Sequence, residues 1–170
     1  RRRRAHVPVV SLIGYTNAGK SSLFNAMTNG GVLVQDQLFS TLDPVTRRMR
    51  LPRGLNVLIT DTVGFIQKLP TKLIAAFRAT LEELQEADLL LHVVDVNNTN
   101  IVEQSKVVEK ILEELKVDNK SRLVVLNKID LLKENNDPSA TYATSLIQRN
   151  TPIAFVSATV GTGLDQLQQD

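Results

Sequence analysis

Short apolar runs alternate with amphipathic segments along most of the chain. The runs VPVVSLIG, DLLLHVVDV, RLVVLNK and PIAFVSA are rich in Val, Ile and Leu, which is typical of buried strands. The segments KSSLFNAMTN, TKLIAAFRATLEELQEA, VEQSKVVEKILEELK and DPSATYATSLIQRN have helical spacing, and another helix begins at Leu164. In the third of these segments we predict a buried stripe of Val102, Val107, Ile111 and Leu115. Asp137 is the predicted cap of the fourth helix.

One segment breaks the alternation of strand and helix. TRRMRL has the alternating pattern of an exposed strand, and Pro52-Arg53-Gly54 turns it into NVLITD, which predicts a hairpin. Together the segments predict an α/β fold of three layers, with a six-stranded, mainly parallel sheet and one antiparallel hairpin strand. His92 lies inside a predicted strand, where we interpret it as a structural residue.

The first chemical motif is Gly14-Tyr15-Thr16-Asn17-Ala18-Gly19-Lys20-Ser21, placed between a predicted strand and a predicted helix. Glycines allow the backbone N–H groups to approach phosphate oxygens, and the start of the helix attracts negative charge. The pattern predicts a P-loop NTPase, in which Lys20 contacts the β- and γ-phosphates and Ser21 ligates Mg²⁺. The expected nucleotide contacts are Asn17, Ala18, Gly19, Lys20, Ser21 and Ser22.

A second motif, Asp61-Thr62-Val63-Gly64, follows the hairpin strand. Asp61 is expected to face the magnesium ion, and the N–H of Gly64 to meet the γ-phosphate. Phe65 stands next, where many nucleotide hydrolases have a glutamine that orients the attacking water. A phenylalanine cannot polarise water, so we expect slow intrinsic hydrolysis that depends on backbone groups, an ion or a partner.

The loop before this hairpin, residues 32–46, lacks clear periodicity. It contains two candidates, Thr41 and Thr46, for a threonine that closes on Mg²⁺ and the γ-phosphate. We prefer Thr41 as the metal and catalytic residue, because Thr46 is expected to start the strand.

Two further motifs indicate which base is bound. Asn127-Lys128-Ile129-Asp130 follows a strand, and the carboxylate of Asp130 can accept hydrogen bonds from guanine N1–H and the N2 amino group together. Lys128 is expected to lie along the base. Ser157-Ala158 follows the last strand, and the N–H of Ala158 can donate to guanine O6. These residues favour guanine over adenine.

Charge and composition restrict the partners. The chain of 170 residues has a net charge of +2, but without Arg1 to Arg4 it has 16 basic and 18 acidic residues. Net charge therefore provides no argument for DNA or RNA binding. The four arginines are interpreted as a solvated end, with a phosphate-contacting arm as the alternative. The absence of Cys excludes lipid attachment through that residue and argues against a membrane-trafficking GTPase. No membrane association is expected.

The order of these motifs resembles that of the translation-factor-related GTPases across nearly the whole chain. More specifically, GYTNAGKSSLFN, FSTLDPVTRR, DTVGFIQKLP, LIAAFRATLEE and HVVDV resemble the GTPase domain of the HflX family. The resemblance implies a GTPase that acts on the large ribosomal subunit, in a bacterial cytoplasm or a chloroplast stroma. It also implies that residues 1–6 are the remnant of a preceding linker and that residues 7–170 form a GTP-binding domain. The helix that begins at Leu164 is expected to be truncated, because the sequence stops soon after it, and we expect the isolated domain to be monomeric.

Two alternatives and one further metal remain open. The domain could be a nucleotide-gated binding module with negligible turnover, which Phe65 favours, or a P-loop ATPase or kinase, against which Asp130 argues. Several GTPases with a similar N-A-G-K-S loop use the asparagine to bind K⁺ beside the phosphates, so Asn17 is a candidate K⁺ ligand. Otherwise Asn17 is explained by turn geometry.

Overall fold

The computed structural model describes residues 6–29, 44–65, 74–132 and 138–169. Five α-helices and six strands form in these ranges, as the alternating pattern predicts, together with a short 3-10 helix at Ile129–Leu131. The strands are β1 (Val9–Ile13), β2 (Val45–Arg50), β3 (Asn56–Asp61), β4 (Leu89–Asp95), β5 (Ser121–Asn127) and β6 (Ile153–Phe155). The helices are α1 (Lys20–Thr28), α2 (Ile74–Glu86), α3 (Ile101–Glu114), α4 (Pro138–Gln148) and α5 (Leu164–Leu167). The predicted cap Asp137 lies outside the described residues.

All six strands belong to one sheet in the order β2-β3-β1-β4-β5-β6. Strands β3, β1, β4, β5 and β6 are parallel, and β2 pairs antiparallel with β3 as the hairpin predicts. The predicted α/β fold class is therefore confirmed. Because the carboxyl ends of parallel strands meet at one edge of a sheet, loops that are far apart in sequence become neighbours there.

The core lies on both faces of the sheet. Leu12 of β1 and Leu91 of β4 pack with Leu23 and Phe24 of α1 on one face. Their chain neighbours Ile13 and Leu90 pack on the other face, with residues of α2 and α3. This alternation follows from the two-residue period of a strand, and it produces the predicted three layers.

The predicted stripe on α3 is correct in part. Val107, Ile111 and Leu115 are half-buried, and the last two pack against the core, but they are not the most buried line of the helix. Val102 is 43% exposed, whereas Ile101, Val108 and Leu112 are buried together with Ser105. Both faces of this helix carry apolar residues, and the face packed against the sheet includes Ser105, which a count of apolar positions treats as polar. A serine is small enough to fit beneath a neighbouring element, so tertiary packing selected this face.

His92 is buried in the middle of β4, beside Ile13 of β1. Burial lowers the pKa of its imidazole to about 3, and the charges of Arg122 and Lys20 add to this effect. The side chain is therefore neutral near pH 7, which agrees with the structural role predicted for it. No helix within the described ranges is both long and apolar enough to cross a membrane.

Candidate functional site

The chemical motifs meet at the carboxyl edge of the sheet. The Gly14–Ser21 loop follows β1, Asp61 ends β3, Asn127 ends β5, and Ser157 follows β6. Four separate stretches of sequence thereby form one continuous site. Thr41 lies outside the described residues, so its position at this edge stays a prediction.

The loop after β1 takes the shape of a phosphate-binding loop. Asn17 and Gly19 have left-handed backbones, with φ of 64° and 93°. A Cβ at Gly19 would also lie 2.3 Å from the side-chain nitrogen of Asn127, so both backbone shape and space require glycine there. Ala18 is buried, and Ser22 is partly buried in the first turn of α1. α1 begins at Lys20, directly after this loop, so the positive end of the helix lies where a phosphate would bind.

Lys20 is the buried cation of the site. Its Nζ donates to the carbonyl oxygens of Gly14, at 3.4 Å, and Tyr15, at 3.2 Å. Burial lowers its pKa to about 8, although the nearby carboxylate of Asp61 opposes this shift. A phosphate beside Nζ would favour the charged form, so the surroundings of Lys20 suit an anionic ligand.

Ser21 and Asp61 form the candidate magnesium site. Ser21 Oγ donates a 2.6 Å hydrogen bond to Asp61 Oδ2, and both side chains are buried. A hydroxyl and a carboxylate are oxygen ligands of the kind Mg²⁺ prefers, and this ion commonly uses few protein ligands together with phosphates and water. No cluster of three or more His, Cys, Asp or Glu occurs in the described ranges, which is compatible with such a sparse site.

The loop after Asp61 is held tightly against the phosphate loop. A Cβ at Gly64 would lie 2.9 Å from Cα of Thr16 and 3.2 Å from Nζ of Lys20, so only glycine fits this close approach. The N–H of Phe65 donates to Gly14 at 2.9 Å, and its carbonyl accepts from Thr16 N–H at 2.8 Å. Gly64 is therefore beside the residues expected to contact the γ-phosphate.

Phe65 itself points away from this site. Its side chain is 0% exposed and packs with Ile13, Leu84 and Leu90. Its ring also makes an edge contact with Phe77 of α2, at 6.1 Å between centroids. Phe65 thus belongs to the core, and its side chain is not exposed to a ligand at the phosphate loop.

Thr46, the alternative to Thr41, is a strand residue. It pairs with Thr60 across the hairpin, and their hydroxyls are 2.8 Å apart. Because its hydroxyl is hydrogen-bonded within the sheet, Thr46 is poorly placed to close on Mg²⁺ and the γ-phosphate. This supports the preference for Thr41.

Asn127 connects three of the loops. Its Nδ2 donates to the carbonyl of Ala18 at 3.1 Å, and its Oδ1 accepts from the N–H of Ala158 at 3.1 Å. Asn127 is almost fully buried. It therefore joins the phosphate loop to the two loops predicted to bind the base. The N–H of Ala158, predicted to donate to the base, is occupied by this bond.

Asp130 is exposed at the edge of the site and is oriented by Ser157. The buried hydroxyl of Ser157 donates to Asp130 Oδ1 at 2.6 Å, and it accepts from Val160 N–H at 3.1 Å. One carboxylate oxygen of Asp130 is thereby held in place. Ser157, predicted to contact the nucleotide, is thus placed to orient the carboxylate of Asp130.

Lys128 reveals a residue that the sequence interpretation missed. Its Nζ donates to Asp95 Oδ2 at 2.7 Å and to the carbonyl of Asn17 at 3.0 Å. Asp95 ends β4 and is paired in register with Asn127 at the end of β5. Its signal was available in the sequence, because a carboxylate ends the buried run DLLLHVVD, but no spacing rule connects it to Lys128.

Comparisons with known proteins identify the family. The family described as "50S ribosome-binding GTPase" matches residues 9–128. The chain is 54% identical to GTPase HflX of Caldanaerobacter subterraneus subsp. tengcongensis over 133 residues, which are 78% of this chain and 31% of that protein. It is 45% identical to GTPase HflX of Lacrimispora saccharolytica, over 98% of this chain and 38% of that protein.

A solved structure agrees with this assignment. Era of Aquifex aeolicus, in a variant bound to GDP and AlF4⁻, superposes with a TM-score of 0.80 and 25% identity, over 96% of this chain and 55% of that one. The chain therefore shares the fold of Era, which in that structure is bound to GDP and AlF4⁻. The chain belongs to the 50S ribosome-binding GTPase family and, within it, is a GTPase domain of the HflX type.

Proposed function

We propose that this domain hydrolyses GTP slowly in a Mg²⁺-dependent reaction, and that the large ribosomal subunit accelerates it in the full-length protein. The observation that carries this proposal is the burial of Phe65. With that side chain in the core, no group at its position orients the attacking water. The intrinsic rate expected for such a site is no faster than roughly 10⁻⁴–10⁻² s⁻¹, and a partner that orders the loops can add a factor of about 10³–10⁵.

Three residues would contact the phosphates. Lys20 would contact the β- and γ-phosphates, the N–H of Gly64 would meet the γ-phosphate, and Thr41 would close over it. Ser21, Asp61 and Thr41 would hold Mg²⁺, which supplies positive charge to the phosphate oxygens when it is bound. The roles of Lys20 and Gly64 are supported by their close approach, since a Cβ at Gly64 would touch Lys20 Nζ.

Recognition of the guanine base is supported by the hydrogen bond between Asp130 and Ser157. A carboxylate with one oxygen held at 2.6 Å by a hydroxyl is oriented before the ligand arrives. It would accept from guanine N1–H and the N2 amino group, and Lys128 would lie along the ring. Ala158 N–H would reach guanine O6 only by sharing or exchanging its bond with Asn127 Oδ1.

Asn17 supports a further proposal, that K⁺ binds beside the phosphates. Its side chain is exposed while its backbone is left-handed, so turn geometry explains the residue equally well. A bound K⁺ would add positive charge where the transition state gains negative charge. Hydrolysis should then be faster in K⁺ than in Na⁺ at matched ionic strength. Equal rates in the two salts would remove the proposal.

The ribosomal partner is supported by the family description and by the names of the relatives. The chain spans only 31% and 38% of the length of the two HflX proteins compared above, so other parts of such proteins could contribute to binding. We propose a bacterial cytoplasm or a chloroplast stroma as the compartment, because large ribosomal subunits are present in both.

The test is GTP hydrolysis by the full-length protein with and without purified large ribosomal subunits. We expect slow phosphate release alone and an increase of about a thousandfold or more with subunits, which begins at the lower end of the range that partners supply. Small ribosomal subunits are the matched control. Fast hydrolysis by the protein alone, or equal stimulation by both subunits, would contradict the proposal.

The second candidate function is a nucleotide-gated binding module with negligible turnover, which the burial of Phe65 also favours. Release of several phosphates per protein molecule in the same assay would exclude it. An ATPase or kinase is disfavoured by Asp130, and competition by ATP against GTP would test that alternative.

A further inference from the structure

The β2–β3 hairpin carries a concentrated positive charge. Arg47, Arg48 and Arg50 of β2 and Arg53 of the following turn are all exposed, and we call these four residues the arginine hairpin. They are four of the seven arginines found outside residues 1–4. The segment from residue 44 to residue 60 contains no Asp or Glu. Net charge concealed this cluster, because acidic residues elsewhere balance it.

None of these arginines forms an ion pair with a described residue, since the pairs found in those ranges are His6–Asp88, Lys110–Glu114 and Lys128–Asp95. Like charges that lie close together repel, and surfaces usually intersperse both signs. An anion from outside the domain would relieve this repulsion. The cluster therefore has the electrostatics of a binding surface for a negatively charged partner.

The geometry spreads these charges along an edge. β2 is the first strand of the sheet and pairs only with β3 among the described strands. Arg48 and Arg50 share one face of β2, where alternate residues lie about 7 Å apart. Arg47 is on the opposite face, with its guanidinium 6.0 Å from the centre of the Phe24 ring. The other three, Arg48, Arg50 and Arg53, follow one another along this edge, and such a series suits an anion with regularly repeated charges.

The residue type points to phosphate. All four positions hold Arg, whereas the exposed cations of α3 and the turn after it are Lys106, Lys110 and Lys116. A guanidinium donates two parallel hydrogen bonds to a phosphate, which an ammonium cannot do.

We propose that the arginine hairpin binds the phosphate backbone of ribosomal RNA. This inference rests on the proposed function, since it names the part of the large subunit that this surface contacts. The contact is to the backbone and carries no base recognition, because the surface is a row of cations. Binding through it should therefore depend strongly on salt.

The test uses full-length protein loaded with a non-hydrolysable GTP analogue and sedimented with large ribosomal subunits. The triple variant Arg48→Gln, Arg50→Gln, Arg53→Gln should bind about tenfold more weakly. Its plot of log affinity against log salt, between about 50 and 200 mM, should be shallower by about 2, since each phosphate contact contributes about 0.7–0.9 to that slope. Arg47 is left unchanged because it packs on Phe24.

The matched control is the triple variant Lys106→Gln, Lys110→Gln, Arg149→Gln, which removes the same charge from exposed positions on α3 and just after α4. It should bind subunits as the wild type does. Both variants should keep the intrinsic GTP hydrolysis rate and the melting temperature of the wild type. Equal losses in the two triple variants would overturn the inference, because net charge would then explain the effect.

The other outcomes separate this inference from the proposed function. If the wild type binds subunits and the arginine variant binds equally well with the same salt slope, the hairpin inference alone fails. If the wild type hydrolyses GTP but does not bind subunits, the proposed partner fails and the inference fails with it. A competition assay on naked ribosomal RNA uses polyglutamate and a polyuridine of matched length as competitors. If polyglutamate displaces the protein as readily as polyuridine does, the surface would be assigned to an acidic protein partner instead.

Discussion

Lys128 Nζ lies 2.7 Å from Asp95 Oδ2, and the two side chains are 30% and 16% exposed. The pair joins the ends of β4 and β5 next to the phosphate loop, where Lys128 also donates to Asn17. An aliphatic lysine chain held at both its backbone and its charged end has few conformations left. Asp95 is thus a positioning residue for the lysine expected to lie along the base.

Replacing Asp95 with Asn should weaken GDP binding about tenfold, as measured by titration with a fluorescent GDP analogue. A charge-assisted hydrogen bond contributes about 1.5–3 kcal/mol, and partial exposure favours the lower end of that range. Asparagine keeps an oxygen to accept the hydrogen bond from Asn97 N–H, so the local turn should survive. The control is Asp118→Asn, which removes an exposed carboxylate before β5.

A double variant tests whether Asp95 acts through Lys128. If it does, adding Asp95→Asn to Lys128→Met should weaken GDP binding no further. Additive losses in the double variant would show that Asp95 has a separate role.

The substitution Asp130→Asn should change the base preference of the site from guanine to xanthine. The amide presents a donor where xanthine has a carbonyl in place of the guanine amino group, so GTP affinity should fall by about 10²-fold or more and XTP should bind better than GTP. Competition binding with the two nucleotides measures this exchange. Ser157→Ala is a second variant, expected to weaken GTP binding without creating the preference for XTP. Wild-type GTP affinity in Asp130→Asn would contradict the assignment.

Phe65 should matter for stability and little for chemistry. Its ring is fully buried and contacts Phe77, so Phe65→Ala should lower the free energy of unfolding by about 3–5 kcal/mol, and Phe65→Leu by less. Denaturant unfolding measures the first effect. At a temperature where Phe65→Leu stays folded, its intrinsic GTP hydrolysis rate should equal that of the wild type. A large loss of rate in this variant with unchanged nucleotide affinity would show that Phe65 contributes to the reaction.

Lys20 should make nucleotide binding dependent on pH. Its pKa in the free protein is about 8, and a bound phosphate favours the protonated form and raises that pKa. GDP affinity should therefore be constant below about pH 8, where Lys20 is already charged, and fall by up to tenfold per pH unit above it. Titration with GDP between about pH 7 and 9 measures this fall. Lys20→Arg keeps its charge across this range and should show no such fall. A flat profile for the wild type would contradict the prediction.

His92 should make the fold sensitive to acid. Its pKa is about 3 in the folded domain, against an ordinary value of 6.5 for a solvated histidine, so the unfolded chain binds more protons between these values. The contribution of neutral His92 to the free energy of unfolding is therefore fully present above about pH 6.5 and is lost as the pH falls. About 2 kcal/mol of it is lost at pH 5. His92→Leu should reduce this dependence in urea unfolding, and His6→Gln, which removes the other histidine, should leave most of it. An unchanged acid dependence in His92→Leu would refute the assignment.

The amino-acid sequence by itself determined the local elements and the identity of the site motifs. Strand and helix periods are properties of neighbouring residues, so the sheet, its hairpin and the phosphate loop could be predicted without coordinates. Motifs such as Asn127 to Asp130 could be predicted for the same reason, because their chemistry is contained in a few consecutive residues. Asp137 and Thr41 lie outside the described residues and stay predictions.

Only the tertiary structure decided which residues from different elements meet. The pairing of Asp95 with Lys128 depends on β4 lying beside β5, and the register of α3 depends on which face the sheet accepts. The burial of Phe65 required the core contributed by α2 and α3. The arginine hairpin could be recognised as one surface only when β2 was placed first in the order of the described strands. These contacts join residues that are far apart in the sequence. The local pattern does not distinguish between the possible pairings and helix faces, and packing and burial select among them.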